Sequence, residues 1–303
     1  MDVRTIDFNI GDKKTEIVLC LGFFDCLHLG HAKLLQRARE LAKTAGAKAA
    51  MFTFDRQPSA ENKEIFTLEE RLYRMDELGV HIAVVAHVDP DFLSIEHSLF
   101  MNMLFERFNI VGIVCGSDFT YGKDAEGNVH ELKKECARRD IKLDVIELEK
   151  DASGRKIASR RIKEFIKNGD MRSANTFLPL PYIMMGTIVH GREAGRAMGF
   201  PTANMNIPEE KCAPAAGVYY TRVYVDGADR ICITNIGTHP TFGDYSFNAE
   251  THILDFDKDL YGKKLVVRFM DKIRDIVKFD SKEEIAAQLK ADSLVALSKA
   301  KND

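Results

Sequence analysis

No C-x-x-C pair occurs among the six cysteines, which stand at 20, 26, 115, 136, 212 and 232, several inside apolar runs such as Ile113–Cys115 and Ile231–Ile233. That pattern argues against a disulfide framework or a structural zinc site and for reduced, partly buried thiols. Also missing is any apolar run near the roughly 20 residues needed to span a bilayer. Met1 to Lys14 carries charges throughout and lacks the apolar stretch of a signal peptide. An excess of one charge is absent too: 43 Lys and Arg face 46 Asp and Glu, interspersed along the chain, for a net charge of -3. Without a basic face or tail there is no footprint for nucleic acid, so phosphate binding is expected only at local small-molecule sites. These absences predict a soluble, cytoplasmic protein with neither a nucleic-acid nor a membrane partner. They leave its oligomeric state open.

What is present is an ordinary globular balance, 45% hydrophobic and 29% charged over 303 residues, a length that suggests two domains. The first half alternates short apolar runs with amphipathic stretches. Strands are expected at Ile17–Leu21, Ala49–Phe54, His81–Ala86, Ile110–Cys115 and Lys142–Glu147. Helices are expected from about His31 to Ala45, from a Thr67/Glu70 capping box to about Glu77, over Ser94–Phe108, over Glu131–Arg139, and briefly at Ser159–Asn168 and Met171–Phe177. Such alternation implies a doubly wound α/β parallel sheet, with ligands outside the carboxyl ends of its strands. The segments after Leu21 and after Cys115 should then face one cleft. Leu178-Pro179-Leu180-Pro181 is a stiff connector, so the expected domains are 1–180 and 181–303. Beyond it the rhythm changes to closely spaced strands at Tyr182–Val189, Gly217–Val225, Arg230–Ile236, Glu250–Phe256 and Lys264–Phe269. Asp226-Gly227 supplies a hairpin turn, and Ser281 with Glu284 opens a C-terminal helix. This half reads as an antiparallel barrel or sandwich.

Gly22 to His31 joins the first strand to the first helix and contains His28-Leu29-Gly30-His31. A helix start presents free N–H groups and a positive dipole end, suited to phosphate. Gly30 allows close backbone approach, and histidines on either side can donate hydrogen bonds to a transferring phosphoryl group. The bland alternative is that His28 and His31 only cap the helix or pack on the sheet. A metal reading is weaker, because the spacing offers no third ligand.

The stretch resembles the His-x-Gly-His signature of the nucleotidylyltransferase superfamily, and its flanks are similar to the N-terminal module of bacterial bifunctional riboflavin kinase/FAD synthetases. Phe52-Thr53-Phe54-Asp55, Gly116 to Lys123 and Ile157 to Ile162 match that family in order. The resemblance implies FMN adenylylation to FAD, with ATP at Gly22, Phe24, Asp25, His28, Gly30, His31, Ser159 and Arg161. Flavin would lie at Phe54, Asp118, Phe119, Tyr121 and Gly122. The chain departs from the family at Phe23, at Cys26, where the family usually has glycine, and at Ala158 and Arg160, where the family carries a serine and a threonine. Arg160 reads either as a charge clamp or as an obstruction of the pocket.

In the second half, Gly186 to Arg192 and Gly195 to Asn204 form a Gly-rich turn beside arginine, able to wrap triphosphate with backbone N–H groups. Alone this is a weak signal, since Pro201 could simply start a turn with Thr202 and Asn204 bonded to their own backbone. Tyr182 to Asp292, however, resembles the riboflavin kinase module throughout, with Gly199-Phe200-Pro201-Thr202-Ala203-Asn204 as its hallmark. Gly217-Val218-Tyr219, the segment from Asn235 to Phe242, and Asp259-Leu260-Tyr261-Gly262 also match. The resemblance implies a six-stranded antiparallel barrel that phosphorylates riboflavin to FMN, with Glu250 as catalytic base. It places ATP at Gly186, His190, Gly191, Gly195, Arg196, Pro201 and Asn204, and Mg²⁺ on Thr202 and Asn204. Riboflavin, FMN and ATP are the small-molecule partners expected. The competing reading keeps the kinase and makes the N-terminal domain inactive or regulatory.

Overall fold

A computed structural model of the chain describes residues 1–6, 12–58, 63–147, 149, 151, 154–190, 200–239 and 244–303. Two compact units divide between Ser159 and Arg160. In the first, strands β1 (Asp2–Ile6), β2 (Asp12–Cys20), β3 (Lys48–Phe54), β4 (Ile82–Ala86), β5 (Phe108–Gly116) and β8 (Lys142–Ile146) form one sheet. Its order is β1-β4-β3-β2-β5-β8, and every pairing is parallel. A small ribbon, β6 (Thr120–Tyr121) with β7 (Gly127–Asn128), stands beyond β5. Helices α1 (Leu29–Ala45), α2 (Leu68–Glu77), α3 (Pro90–Leu93), α4 (His97–Arg107) and α5 (Val129–Arg138) make the crossovers.

Alternation along β2 explains the layering. Val18 and Cys20 face a core with Leu34, Leu35, Ala38 and Leu41 of α1 and Met75 of α2. Ile17, Leu19 and Leu21 face the other core, with Phe100, Met101 and Leu104 of α4 and Leu132 of α5. Two buried faces require apolar residues at consecutive positions, which is why the strand reads as an unbroken apolar run. The Thr67/Glu70 capping box forms as expected, with both reciprocal bonds made. The chain moves from β2 to β3 and β4 on one side and to β5 on the other, so the topological switch point lies between β2 and β5.

A buried guanidinium braces the β2–α1 loop. Arg71 Nη1 donates to Thr53 Oγ1 at 2.8 Å and to the Phe54 carbonyl at 2.9 Å, Thr53 donates to the Phe23 carbonyl at 2.7 Å, and Glu64 pairs with Arg71 at 3.3 Å.

The second unit opens with α6 (Ser159–Lys167), which begins at the last residue of the first unit, and α7 (Met171–Asn175). These helices precede the Leu178–Pro181 connector yet pack with the second unit. Asn175 donates to the Phe269 carbonyl at 2.8 Å and accepts from Tyr182 N–H at 2.8 Å, and Arg172 pairs with Asp271 at 3.0 Å. The barrel strands are β9 (Ile183–Thr187), β10 (Thr202–Asn206), β11 (Gly217–Val225), β12 (Ala228–His239), β13 (Asp244–Ile253) and β14 (Lys264–Arg274), followed by α8 (Lys282–Ala300). Their order is β10-β13-β12-β11-β14-β9, all antiparallel. A bridge from Val189 to Asn204 brings the two edges together. Gly186 permits that approach, since a Cβ there would lie 2.7 Å from Met205 Cγ. Asp226 and Gly227, at φ 55° and 75°, make the tight turn between β11 and β12. Inside, the hydroxyls of Thr221, Thr234 and Thr251 form a chain at 2.7 and 2.9 Å, which satisfies three buried polar groups without water.

All six cysteines are buried. Burial raises their thiols where a shift is resolved: Cys136 to about 11, Cys115 to about 12, and Cys20 and Cys232 further. Among the described residues no helix is long and apolar enough to cross a membrane.

Candidate functional sites

At the carboxyl end of β2 and β5, the switch point opens into a cavity of about 640 Å³. The segments after Leu21 and after Cys115 both line it, as the sheet rule predicts. One end is a helix start. His28 is the N-cap of α1, its Nδ1 accepting from His31 N–H at 3.2 Å, so capping and cavity lining are the same side chain. The imidazoles of His28 and His31 stack, with centroids 3.7 Å apart and planes 10° off parallel, and Phe24 meets His31 edge-on at 5.0 Å. Gly30 makes room, because a Cβ there would sit 3.1 Å from His28 Cε1. Phe24 and Leu27 hold φ of 57° and 48°, a left-handed strain in the loop that shapes this end.

Burial, the largest influence, lowers His28 to about 4 and His31 well below its ordinary value, and Lys156 adds to both. Both rings are therefore neutral near pH 7, each with one N–H to donate. Formal positive charge in the cavity comes from Lys156 instead, which pairs with Asp118 at 2.5 Å.

The other end is aromatic. Phe54 packs edge-on against Phe52 and Phe92 at 5.3 and 5.8 Å, and Phe119 stacks on Tyr121 at 5.5 Å. Gly122 ends this wall at φ 75°, ψ -179°, a conformation essentially restricted to glycine. A Cβ on it would stand 2.5 Å from His97 Cα.

Of the sequence-predicted residues, Gly22, Phe24, His28, Gly30, His31, Phe54, Asp118, Phe119, Tyr121, Gly122 and Ser159 line this one cavity. Asp25 does not. It is buried, and its Oδ1 accepts from Ile65 N–H at 2.9 Å, which ties the loop to a distant segment. Arg161 lies over the rings of Phe165 and Phe177 at 5.6 and 4.8 Å. Arg160 is 91% exposed and pairs along its own helix with Glu164 at 3.6 Å, so no pocket encloses it. Sequence reasoning missed Lys156 and Phe92, and named Phe52 only within a matched segment, without a role. Lys156 had one available signal, its place directly before the matched Ile157–Ile162 segment.

The barrel carries a second cavity of about 380 Å³, lined in part by Pro201, Thr202, Asn204, Asp257, Lys258, Asp259 and Tyr261. Thr202 and Asn204 lie on β10 rather than in a turn, although Asn204 does donate to the Thr202 carbonyl at 3.3 Å. Register pairs Asn204 with Glu250 and Glu250 with Asn235, so three polar side chains share one face of β10, β13 and β12. Strand alternation sends Thr251, Ala249 and Ile253 to the opposite, buried face, yet Thr251 and Ile253 line the cavity and the predicted base Glu250 does not. His190 stacks on Tyr261 at 3.8 Å. Gly186 does not line this cavity; its place is the β9–β10 contact. The predicted Gly191, Gly195 and Arg196 lie outside the described residues.

A phosphate-suited helix start joined to an aromatic pocket, on a chain whose separate barrel aligns amide and carboxylate groups, defines a two-domain transferase acting on nucleotides and ring-bearing substrates. Comparison with known proteins names the kind. The FAD synthetase family model matches residues 11–161, and the riboflavin kinase family model matches residues 178–299. A bifunctional riboflavin kinase/FMN adenylyltransferase of Listeria monocytogenes is 33% identical over 93% of this chain and 92% of its own. That of Bacillus subtilis is 31% identical over 95% and 94%. A crystal structure from Streptococcus pneumoniae, described as a macrolide-efflux protein, matches 98% of this chain and 99% of its own at a TM-score of 0.84 and 29% identity. The chain belongs to the bifunctional riboflavin kinase/FMN adenylyltransferase family.

Proposed function

We propose that both reactions of the family run in this chain, each in its own site. In the barrel, the primary ribityl hydroxyl of riboflavin attacks the γ-phosphorus of ATP and ADP leaves. Glu250 accepts the hydroxyl proton, a role open to a carboxylate within hydrogen-bond reach. In the first unit, an FMN phosphate oxygen attacks the α-phosphorus of ATP and pyrophosphate departs, giving FAD. His28 and His31 donate N–H bonds to the transferring phosphate as charge builds on its oxygens, and Lys156 supplies the formal positive charge. Phe54, Phe119 and Tyr121 stack against the flavin, whose ring system suits flat aromatic walls. The observation that carries this reading is the first cavity itself, one space with a phosphate-suited end and an aromatic end.

The oxygen donors of Thr202 and Asn204, beside the Asp257 and Asp259 carboxylates, fit Mg²⁺, which prefers hard ligands. The ion would neutralise triphosphate charge. The kinase match begins at the Leu178–Pro181 connector, inside the second unit.

Incubating purified protein with riboflavin, excess ATP and Mg²⁺ and resolving flavins by chromatography tests the whole. FMN followed by FAD is expected. FMN accumulating with no FAD would sink the second reaction.

Two variants probe the departures. Arg160→Thr should change the rate of FAD formation less than about fivefold, because an exposed ion pair is worth no more than about 1 kcal/mol. A large gain in that rate would mean the arginine obstructs the reaction. Gly122→Ala should raise KM for FMN in FAD formation at least about fivefold, since forcing this backbone costs on the order of 1–3 kcal/mol. Riboflavin phosphorylation by the same variant is the internal control. An unchanged KM would show that this turn does not shape the flavin end.

A further inference from the structure

Two consecutive phenylalanines in the β2–α1 loop serve opposite ends of the first cavity, and both line it. Phe24 turns to the helix start, edge-on to His31 at 5.0 Å. Phe23 turns to the aromatic end, its ring 5.8 Å from that of Phe54 and tilted by 33°. Phe24 is buried and Phe23 half-buried, so Phe23 is the one that offers ring surface to the cavity. Against the Phe23 ring lies the Arg71 guanidinium, 4.9 Å from the centroid and wholly buried. We propose that Phe23 is a further aromatic wall for the flavin ring and sets the affinity for FMN in FAD formation, with Arg71 as its positioning residue. The role toward FMN depends on the flavin reading of this end; the packing on Arg71 does not.

Arg71 holds the wall through backbone and ring together. Its Nη1 donates to the Phe54 carbonyl at 2.9 Å and to Thr53 Oγ1 at 2.8 Å, and Thr53 donates to the Phe23 carbonyl at 2.7 Å. One guanidinium thus fixes the main chain behind both neighbouring rings and covers one face of the Phe23 ring. With that face held against a buried cation, the other face and the rim remain for Phe54 and the cavity. Glu64, 3.3 Å from Arg71, offsets the charge and is itself held by Gln57 N–H at 2.7 Å, so the fork is anchored on its far side as well. Lysine offers a point charge in place of the planar fork and would reproduce only part of this.

The shape of the wall selects the ligand. A planar conjugated ring gains from each flat face it meets in offset or tilted geometry, beyond the area it buries. Phe23 and Phe54 present two such faces side by side, and Phe119 stacked on Tyr121 supplies another stretch of the same lining. A leucine at 23 would fill the space without a flat face, whereas a tyrosine would keep it. Phe23 is also a position where the chain departs from its family, so the departure falls where it meets the substrate rather than on a remote surface.

Kinetics of FAD formation, with FMN binding followed by flavin fluorescence, test the wall on the full-length protein. In Phe23→Leu, KM for FMN should rise about 3–10-fold, the worth of one aromatic contact, with kcat and KM for ATP little changed. Phe23→Tyr should keep KM for FMN near the wild-type value. Arg71→Lys should raise KM for FMN on its own and much less once Phe23→Leu is present, because the two residues act on one wall. An arginine that only stabilises the fold would lower the melting temperature in both backgrounds and leave KM for FMN alone. An unchanged KM for FMN in Phe23→Leu, or a rise in KM for ATP instead, overturns the wall. Additive effects of the two changes overturn the part given to Arg71. Both residues belong to the first unit, so FMN binding lost in Phe23→Leu and kept in Phe23→Tyr reports that cavity and not the barrel. If the protein makes no FAD yet shows this pattern of binding, the adenylyl-transfer reading fails and the wall stands. If FAD forms with KM for FMN unmoved by Phe23→Leu, only the wall fails.

Discussion

His31→Ala should all but abolish FAD formation from supplied FMN, while riboflavin should still be phosphorylated at close to the wild-type rate. Loss of one well-placed transition-state donor typically lowers turnover by about 10²–10³-fold. His31 is half-buried, stacked on His28 and edged by Phe24, so truncation also removes packing from the loop. A merely structural loss would lower the melting temperature without singling out one chemical step. The measurement is therefore paired: FAD formed per minute from FMN and ATP, and FMN formed per minute from riboflavin, on the same preparation. His31→Asn, which keeps a side-chain N–H, should recover part of the first rate. FAD synthesis that survives in His31→Ala would remove this histidine from the reaction.

The second large effect runs the other way. Glu250→Gln keeps the shape of the side chain and its place opposite Asn204 and Asn235, but it cannot accept the proton. Turnover of riboflavin to FMN should fall by about 10²–10⁴-fold, the usual worth of a general base, with KM for riboflavin little changed. FAD formation from supplied FMN should continue. A rise in KM at constant kcat would identify Glu250 as a binding residue instead.

Much of this was legible in the residues, for reasons that differ by element. β2 was readable because a strand buried on both faces must be apolar throughout, and α1 because its apolar stripe recurs at helical spacing. The Thr67/Glu70 box signalled α2 by its own chemistry. By contrast β1, Asp2 to Ile6, carries Asp2 and Arg4 and pairs with β4 at the edge of the sheet. An edge strand needs no continuous apolar run, and nothing local announces a partner some 80 residues away. β10 was hidden by its own motif: a proline followed by Thr202 and Asn204 looks like a turn, and only pairing to β13 makes it a strand.

The sites divide in the same way. Residues contributed by loops with local signatures, such as His28, Gly30 and His31, could be named from spacing. Phe92 and Phe100 could not. They lie on helices where an aromatic reads as core, and only the third dimension turns them toward the cavity. Arg160 looked consequential because it breaks a motif, yet it is exposed on α6 beside Glu164.

The buried thiols have a consequence for how this protein ages. Flavins in air generate peroxide, and a thiol is attacked by peroxide or an electrophile only as accessible thiolate. Here each sulfur is covered, and those with a resolved shift hold their protons far more tightly than free cysteine does. Damage must therefore wait for the backbone to open. Cys20, Cys26, Cys115 and Cys136 time that opening for the first unit, and Cys212 and Cys232 time it for the second. The chain thus carries one set of internal clocks in each unit, stopped for as long as the core around it stays shut.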